Sequence, residues 1–149
     1  MCGILFFSEN PLFELSEVLK PGIRRRGPSH AEWLSLPCSH PILYSSVLHI
    51  QGVTICKQPF VDEDANVLSY NGEIFAGYNC PNMESDTPFF ATLIGSALNG
   101  LQINLENPND MAAAIASKLS HIEGPFAFVF YHNHSKTLFF GRDPFGRLS

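Results

Sequence analysis

The chain has 149 residues, of which 45% are hydrophobic, 12% aromatic and 15% charged. That is core material for one domain, and it excludes a disordered or highly solvated chain. Nine basic against fourteen acidic residues leave a net charge of −5, which excludes the basic face that duplex nucleic acid or anionic lipid requires.

In chain order, Cys2 to Phe7 is a short continuous apolar run and predicts a buried strand. It is far shorter than the roughly 7–15 residues of a signal-peptide core, and no later run reaches the ~20 that span a bilayer. The cytoplasm is therefore the expected compartment. Asn10-Pro11 predicts a helix with Leu12, Leu15 and Leu19 on one face, closed by Pro21-Gly22 and followed by a basic turn, Arg24 to Pro28. Alternation predicts strands over 31–36 and 42–50 around a Pro-bounded loop. A strand over 66–70 then runs into Asn71-Gly72, a dipeptide that favours a turn.

The second half is more helical. Asp86 is placed to cap a helix carrying Phe89, Leu93, Ile94 and Leu98 to Gly100. Asn107-Pro108 starts another through Ala112, Ile115 and Leu119, ended by Gly124-Pro125. Strands over 126–131 and 137–140 follow, joined by a His132-Asn133-His134 turn. Helices segregated between strands predict an α+β layered fold. The His-Asn-His string has no third ligand at a recognisable spacing, so no metal site is expected. Arg24-Arg25-Arg26 is an isolated basic run in an acidic chain and carries no nucleic-acid reading.

The four cysteines lack Cys-x-x-Cys spacing, and a reducing compartment disfavours disulfides. Cys38, Cys56 and Cys80 read as small buried hydrophobes. Cys2 is different. Trimming of Met1 would leave a thiol and a free α-amine on one residue. An α-amine titrates at about 7.7–8.0, so part of it is neutral at pH 7 and suits a general base beside a strong nucleophile.

Six segments occur in register: Met1-Cys2-Gly3-Ile4; Arg25-Arg26-Gly27-Pro28; Tyr70-Asn71-Gly72-Glu73-Ile74-Phe75; Ser85-Asp86; Glu123-Gly124-Pro125-Phe126-Ala127-Phe128; and Gly141-Arg142-Asp143-Pro144-Phe145-Gly146. Together they resemble the class II (N-terminal nucleophile) glutamine amidotransferase domain of the asparagine synthetase family, including its asparagine synthetase domain-containing members. The resemblance spans essentially the whole chain. It implies an α+β, four-layer αββα sandwich of the N-terminal nucleophile hydrolase type over 1–149, with a mature start at Cys2. The domain is expected to be truncated at its C-terminus, short of its final strands and of a synthetase domain.

The implied function is hydrolysis of L-glutamine to L-glutamate and ammonia, for asparagine biosynthesis. The implied catalytic residues are Cys2 as nucleophile, with Asn71 and Gly72 as the oxyanion hole. Asp86 would pair with the substrate ammonium and Glu73 would line the pocket. Arg26 would order the loop beside the nucleophile, and Arg142 with Asp143 reads as a structural ion pair. No cofactor is expected in this chain, since ATP and Mg would belong to a synthetase domain, for which no Ser-Gly-Gly-x-Asp-Ser motif is present. Glutamine is the expected small-molecule partner, with neither nucleic acid nor membrane.

Two positions depart from the family pattern. Val47 stands where related synthetases carry an Arg that clamps the substrate α-carboxylate, and Ser29 replaces the Asp after Arg-Gly-Pro. Val47 leaves two alternatives open: a catalytically weak or inactive amidotransferase-like binding module, and an acylase of the same class acting on another amide.

Overall fold

A computed structural model describes residues 1–8, 13–37, 41–79, 85–100 and 103–148, with backbone alone at 13–16. Its elements are β1 (Gly3–Phe7), α1 (Phe13–Arg26), β2 (His30–Ser35), β3 (Ile42–Val47), β4 (Phe60–Val61), β5 (Val67–Gly72), α2 (Asp86–Leu98), α3 (Pro108–Leu119), β6 (Phe126–His132) and β7 (Thr137–Arg142). They form a mixed α and β structure with two sheets, ordered β1-β3-β2 and β4-β5-β6-β7, in which every strand pairing is antiparallel. Among the described residues, no helix is long and apolar enough to cross a membrane.

Period-two alternation decides what each face of the second sheet meets. In β6, Phe126, Phe128 and Phe130 join Phe90, Ile94, Leu98, Met111, Ile115 and Leu119 of α2 and α3 in the main core. The intervening Val129 and Tyr131 turn the other way and pack with Leu36, Leu43 and Val67. Ser45 of β3 and Ser69 of β5 are both buried, and their hydroxyls satisfy each other at 2.6 Å across the sheets.

Several expectations are corrected. The first helix does not close at Pro21-Gly22 but runs to Arg26, so the expected basic turn is its last turn. Pro21 forfeits a helix hydrogen bond, and tertiary contact overrides the loss. The Ser46 hydroxyl donates to the Ile23 carbonyl at 2.7 Å, and α1 lies so close to β1 that a Cβ on Gly3 would meet Ile23 Cγ2 at 2.5 Å. Leu19 is half-buried; Leu12 and the Leu15 side chain lie outside the described residues, as do Cys38 and Cys80. The strand expected over 42–50 stops at Val47, and the two-residue β4 gave no readable period.

Asn71-Gly72 is not a turn. The two residues are the last rungs of β5, opposite Ala127 and Phe126, because ladder pairing with β6 outweighs the dipeptide's local preference. The cap of α2 is Ser85, whose hydroxyl accepts from Thr87 N–H, rather than Asp86. In α3 the buried face is Met111, Ile115 and Leu119, with Ala112 exposed. His132 belongs to β6, so the final hairpin turns over 133–136.

Asp143 pairs with Arg147 Nε at 3.5 Å, not with Arg142. Its carboxylate also accepts the N–H groups of Phe145 (3.0 Å), Arg147 (3.1 Å) and Phe126 (3.3 Å), fastening the 143–147 segment to the start of β6. Burial works against its ionised form, but these N–H donors and Arg147 outweigh it and hold the carboxyl below its usual range. A depressed folded pKa gives stability that is present above the unfolded value and lost as pH falls through the folded one. Asp143→Asn is therefore expected to lower the melting temperature at pH 7. The gap should begin to narrow below about pH 4, where the unfolded chain starts to protonate, and close as pH falls through the lower folded value. A constant gap from pH 7 to pH 3 would show that the charge contributes nothing.

Candidate active site

At one end of the space between the sheets lies a cavity lined by Cys2, Val47, Asn71, Gly72 and Asp86, with Met1, Leu48, His49, Ile50, Gln51, Cys56, Gln58, Tyr70, Ser85 and Thr87 completing its wall. The strands bring these residues together from far apart in sequence. β1 pairs with β3 so that Gly3 faces Ser46 and Ile4 faces Ser45, placing Cys2 and Val47 at one end of the first sheet. Across the gap, the Asn71 carboxamide oxygen accepts the Cys2 backbone N–H at 2.9 Å, joining positions 69 residues apart. Arg26 Nε donates to the Cys2 carbonyl at 3.3 Å, so the end of α1 holds the other side of the same residue. Met1 is 59% exposed.

The backbone of β5 supplies the second feature. β4 pairs only with Val67 and Leu68, so beyond them this edge of β5 has no partner strand among the described residues. Side chains replace it: Gln58 Oε1 accepts Tyr70 N–H at 2.7 Å, and Asp86 Oδ2 accepts Ile74 N–H at 2.8 Å. Glu73 N–H points the opposite way, to Pro125 O. By the alternation of N–H directions along an extended chain, Gly72 N–H points with those of Tyr70 and Ile74, into the cavity. Glycine is required there, because a Cβ would lie 2.6 Å from the Tyr70 hydroxyl and 2.7 Å from Pro125 O.

Asp86 is 6% exposed. Its hydrogen bond to Ile74, two residues past the end of β5, is three residues along the chain from the Asn71–Cys2 bond, about 10 Å if that stretch is extended. Val47 is 5% exposed and shares the inward face of β3 with Leu43 and Ser45. Glu73 and Arg26 do not line the cavity: the Glu73 carboxylate accepts from Gln51 Nε2 at 3.3 Å behind the wall.

Two wall residues are invisible to sequence reasoning. Gln58 is buried and ties β5 to α2, with Nε2 donating to Thr87 Oγ1 at 3.2 Å, yet it is a lone Gln in an irregular stretch. Cys56 corrects the reading of a buried core hydrophobe: it is half-buried and shares the cavity with Cys2. Burial pushes its thiol above the ordinary value, with Ser85 and Thr87 hydroxyls pulling the other way and Cys2 adding to the rise.

Residues 46–149 match the family model described as glutamine amidotransferase domain. The chain belongs to this family. The matched part of the amidotransferase domain includes Val47, Asn71, Gly72, Glu73 and Asp86, while Cys2 and Arg26 precede it. Pairwise likeness covers those two as well. Asparagine synthetase domain-containing protein 1 of Homo sapiens is 35% identical over 150 residues, 99% of this chain and 21% of that protein. The Gallus gallus protein of that name is 31% identical over 100% of this chain and 23% of its own. An asparagine synthetase domain-containing protein of Saccharomyces cerevisiae is 26% identical over 87% of this chain and 22% of its own. The amidotransferase domain described here thus spans about a fifth of the length of the curated relatives it matches.

Proposed function

We propose that residues 1–149 are a glutamine amidotransferase type-2 domain that hydrolyses a glutamine side-chain amide through Cys2 once Met1 is removed. The observation that carries this reading is the Cys2 N–H to Asn71 Oδ1 bond, which sets the nitrogen of the nucleophile against the strand end that also presents Gly72 N–H. The layering of a four-layer αββα sandwich of the N-terminal nucleophile type is supported by contacts of α1 with β1 and β3, of β1 with β5 and β6, and of α2 with β5 and α3.

In this mechanism the Cys2 thiol gives its proton to its own α-amine as the sulfur attacks the carboxamide carbon. Negative charge develops on the carboxamide oxygen, where the Asn71 amide and Gly72 N–H stabilise it. The amine returns the proton to the leaving nitrogen, ammonia departs, and a γ-glutamyl thioester remains. Water, deprotonated by the same amine, attacks the thioester and releases the acid. Asp86 holds the substrate α-ammonium, separated from the carboxamide carbon by four bonds, and Arg26 steadies the Cys2 carbonyl. Use of the ammonia to make asparagine with ATP and Mg would fall to a synthetase domain in a longer, cytoplasmic protein.

A glutamine-like diazo-ketone tests the reading. At pH 7 it is expected to label Cys2 in protein lacking Met1, and to spare Cys56, which burial keeps protonated. Peptide mass spectrometry reports the site. Equal labelling of both thiols, or ammonia release by protein that retains Met1, would overturn it; a trimmed but unlabelled and inactive protein would make the domain a binding module.

A further inference from the structure

The charges around the cavity bear on which form of glutamine it accepts, an inference that rests on the amide-hydrolysis reading above. Asp86 is a buried carboxylate in the wall. All nine Lys and Arg residues lie among the described residues, and none of them lines the cavity. Arg26, behind the nucleophile, donates its Nε–H to the Cys2 carbonyl. The rest of the wall is uncharged apart from His49, its one basic side chain among the described lining residues: apolar at Met1, Val47, Leu48 and Ile50, amide-bearing at Gln51, Gln58 and Asn71, and hydroxyl- or thiol-bearing at Tyr70, Ser85, Thr87, Cys2 and Cys56.

A ligand ammonium beside Asp86 is well paired. A carboxylate on the same carbon would lie within a few ångströms of that carboxylate, with no Lys or Arg to offset the repulsion or the loss of water. A neutral carbonyl at that place meets no such penalty and needs only an N–H donor, and a Gln side-chain amide has two. The segment that follows wall residue Ile50 is exposed and apolar: Ile50 is 63% exposed, Val53 86% and Ile55 43%.

We propose that the cavity takes glutamine as the N-terminal residue of a peptide rather than as the free amino acid. The free α-ammonium goes to Asp86, the neutral α-carbonyl faces Val47, and the side-chain carboxamide is presented to Cys2. The reaction converts an N-terminal glutaminyl residue and water to a glutamyl residue and ammonia. The carbon–nitrogen bond of the side chain breaks after the bond to Cys2 sulfur forms, and oxygen from water then displaces the sulfur.

The test measures ammonia release by Met1-trimmed protein from free L-glutamine, from the tripeptide Gln-Leu-Ala, and from its N-acetyl derivative, with mass spectrometry of the products. The tripeptide is expected to exceed both others in kcat/KM by at least about tenfold, the difference from free glutamine residing chiefly in KM. Val47→Arg is expected to shift the preference toward free glutamine. If that variant does not fold, the wild-type ratio decides alone. Free glutamine turned over as well as the tripeptide would overturn the inference while leaving amide hydrolysis at Cys2 intact. An N-acetyl peptide as good as the free one would overturn it through Asp86. No turnover of any substrate by trimmed protein whose Cys2 also resists the diazo-ketone would defeat the underlying reading, and this inference with it.

Discussion

Cys2→Ala is expected to reduce ammonia release from the preferred glutamine amide by at least about 10³-fold, with the melting temperature little changed. The thiol is both the attacking atom and the source of the proton that its own amine moves, so no neighbouring group replaces it. Cys56 shares the cavity, but its thiol is pushed up by burial and carries no α-amine of its own. The fold should tolerate the change. Cys2 is only half-buried, and its two backbone anchors, the N–H on Asn71 and the carbonyl under Arg26, do not involve the sulfur. Protein that retains Met1 is expected to be as inactive as the variant, because an amide nitrogen cannot accept the proton. Steady-state ammonia assays on the trimmed wild type, the untrimmed protein and Cys2→Ala separate these cases. Activity above a hundredth of wild type in Cys2→Ala would exclude this thiol as the nucleophile.

Asn71→Ala is expected to lower kcat by roughly 10²–10³ with a much smaller change in KM, the signature of a donor that acts on charge formed in the transition state. In Asn71 the carboxamide oxygen anchors Cys2 N–H, and in the proposed mechanism its nitrogen stabilises the oxyanion. Asn71→Asp divides these roles, since the carboxylate keeps an acceptor for the Cys2 nitrogen and loses the donor. We expect Asn71→Asp to be impaired nearly as much as Asn71→Ala. A rise in KM with kcat preserved in both variants would mean that Asn71 shapes the cavity and takes no part in the chemistry. Asn71 is buried and lies in a ladder with β6, so melting curves must accompany the kinetics.

Much of this protein was legible in the chain itself. The run of Phe at 126, 128 and 130 alternates with Ala127, Val129 and Tyr131, which is enough to specify a strand buried on both faces. The helix starts at Ser85-Asp86 and Asn107-Pro108 follow from local capping chemistry, which acts over two or three residues and leaves its mark in sequence. Cys2 stands out because loss of Met1 would give it both a thiol and a free α-amine, and the motifs in register behind it resemble those of one family. Local rules failed where distant parts of the chain competed with them. Pro21-Gly22 would end an isolated helix, yet α1 continues because β1 and β3 press against it. Asn71-Gly72 would turn an isolated hairpin, yet the ladder to Phe126 and Ala127 holds both residues extended.

The site lies on the same divide. The resemblance of the sequence motifs could nominate Cys2, Asn71 and Asp86 one at a time, but each gains its partner only through tertiary pairing: Cys2 N–H on Asn71, Ile74 N–H on Asp86. Gln58 joins the cavity because, among the described residues, the edge of β5 beyond Leu68 has no partner strand and the Gln58 side chain satisfies Tyr70 N–H there; Cys56 lies two residues before it and lines the same cavity. The same reach excluded Glu73 and Arg26 from the wall, because the direction of a backbone N–H and the reach of α1 are fixed by neighbours far away in sequence. The sequence determined which residues were available for chemistry. The antiparallel register and the gap between the two sheets decided which of them meet, since contacts between distant strands are set by packing and leave no local periodic mark.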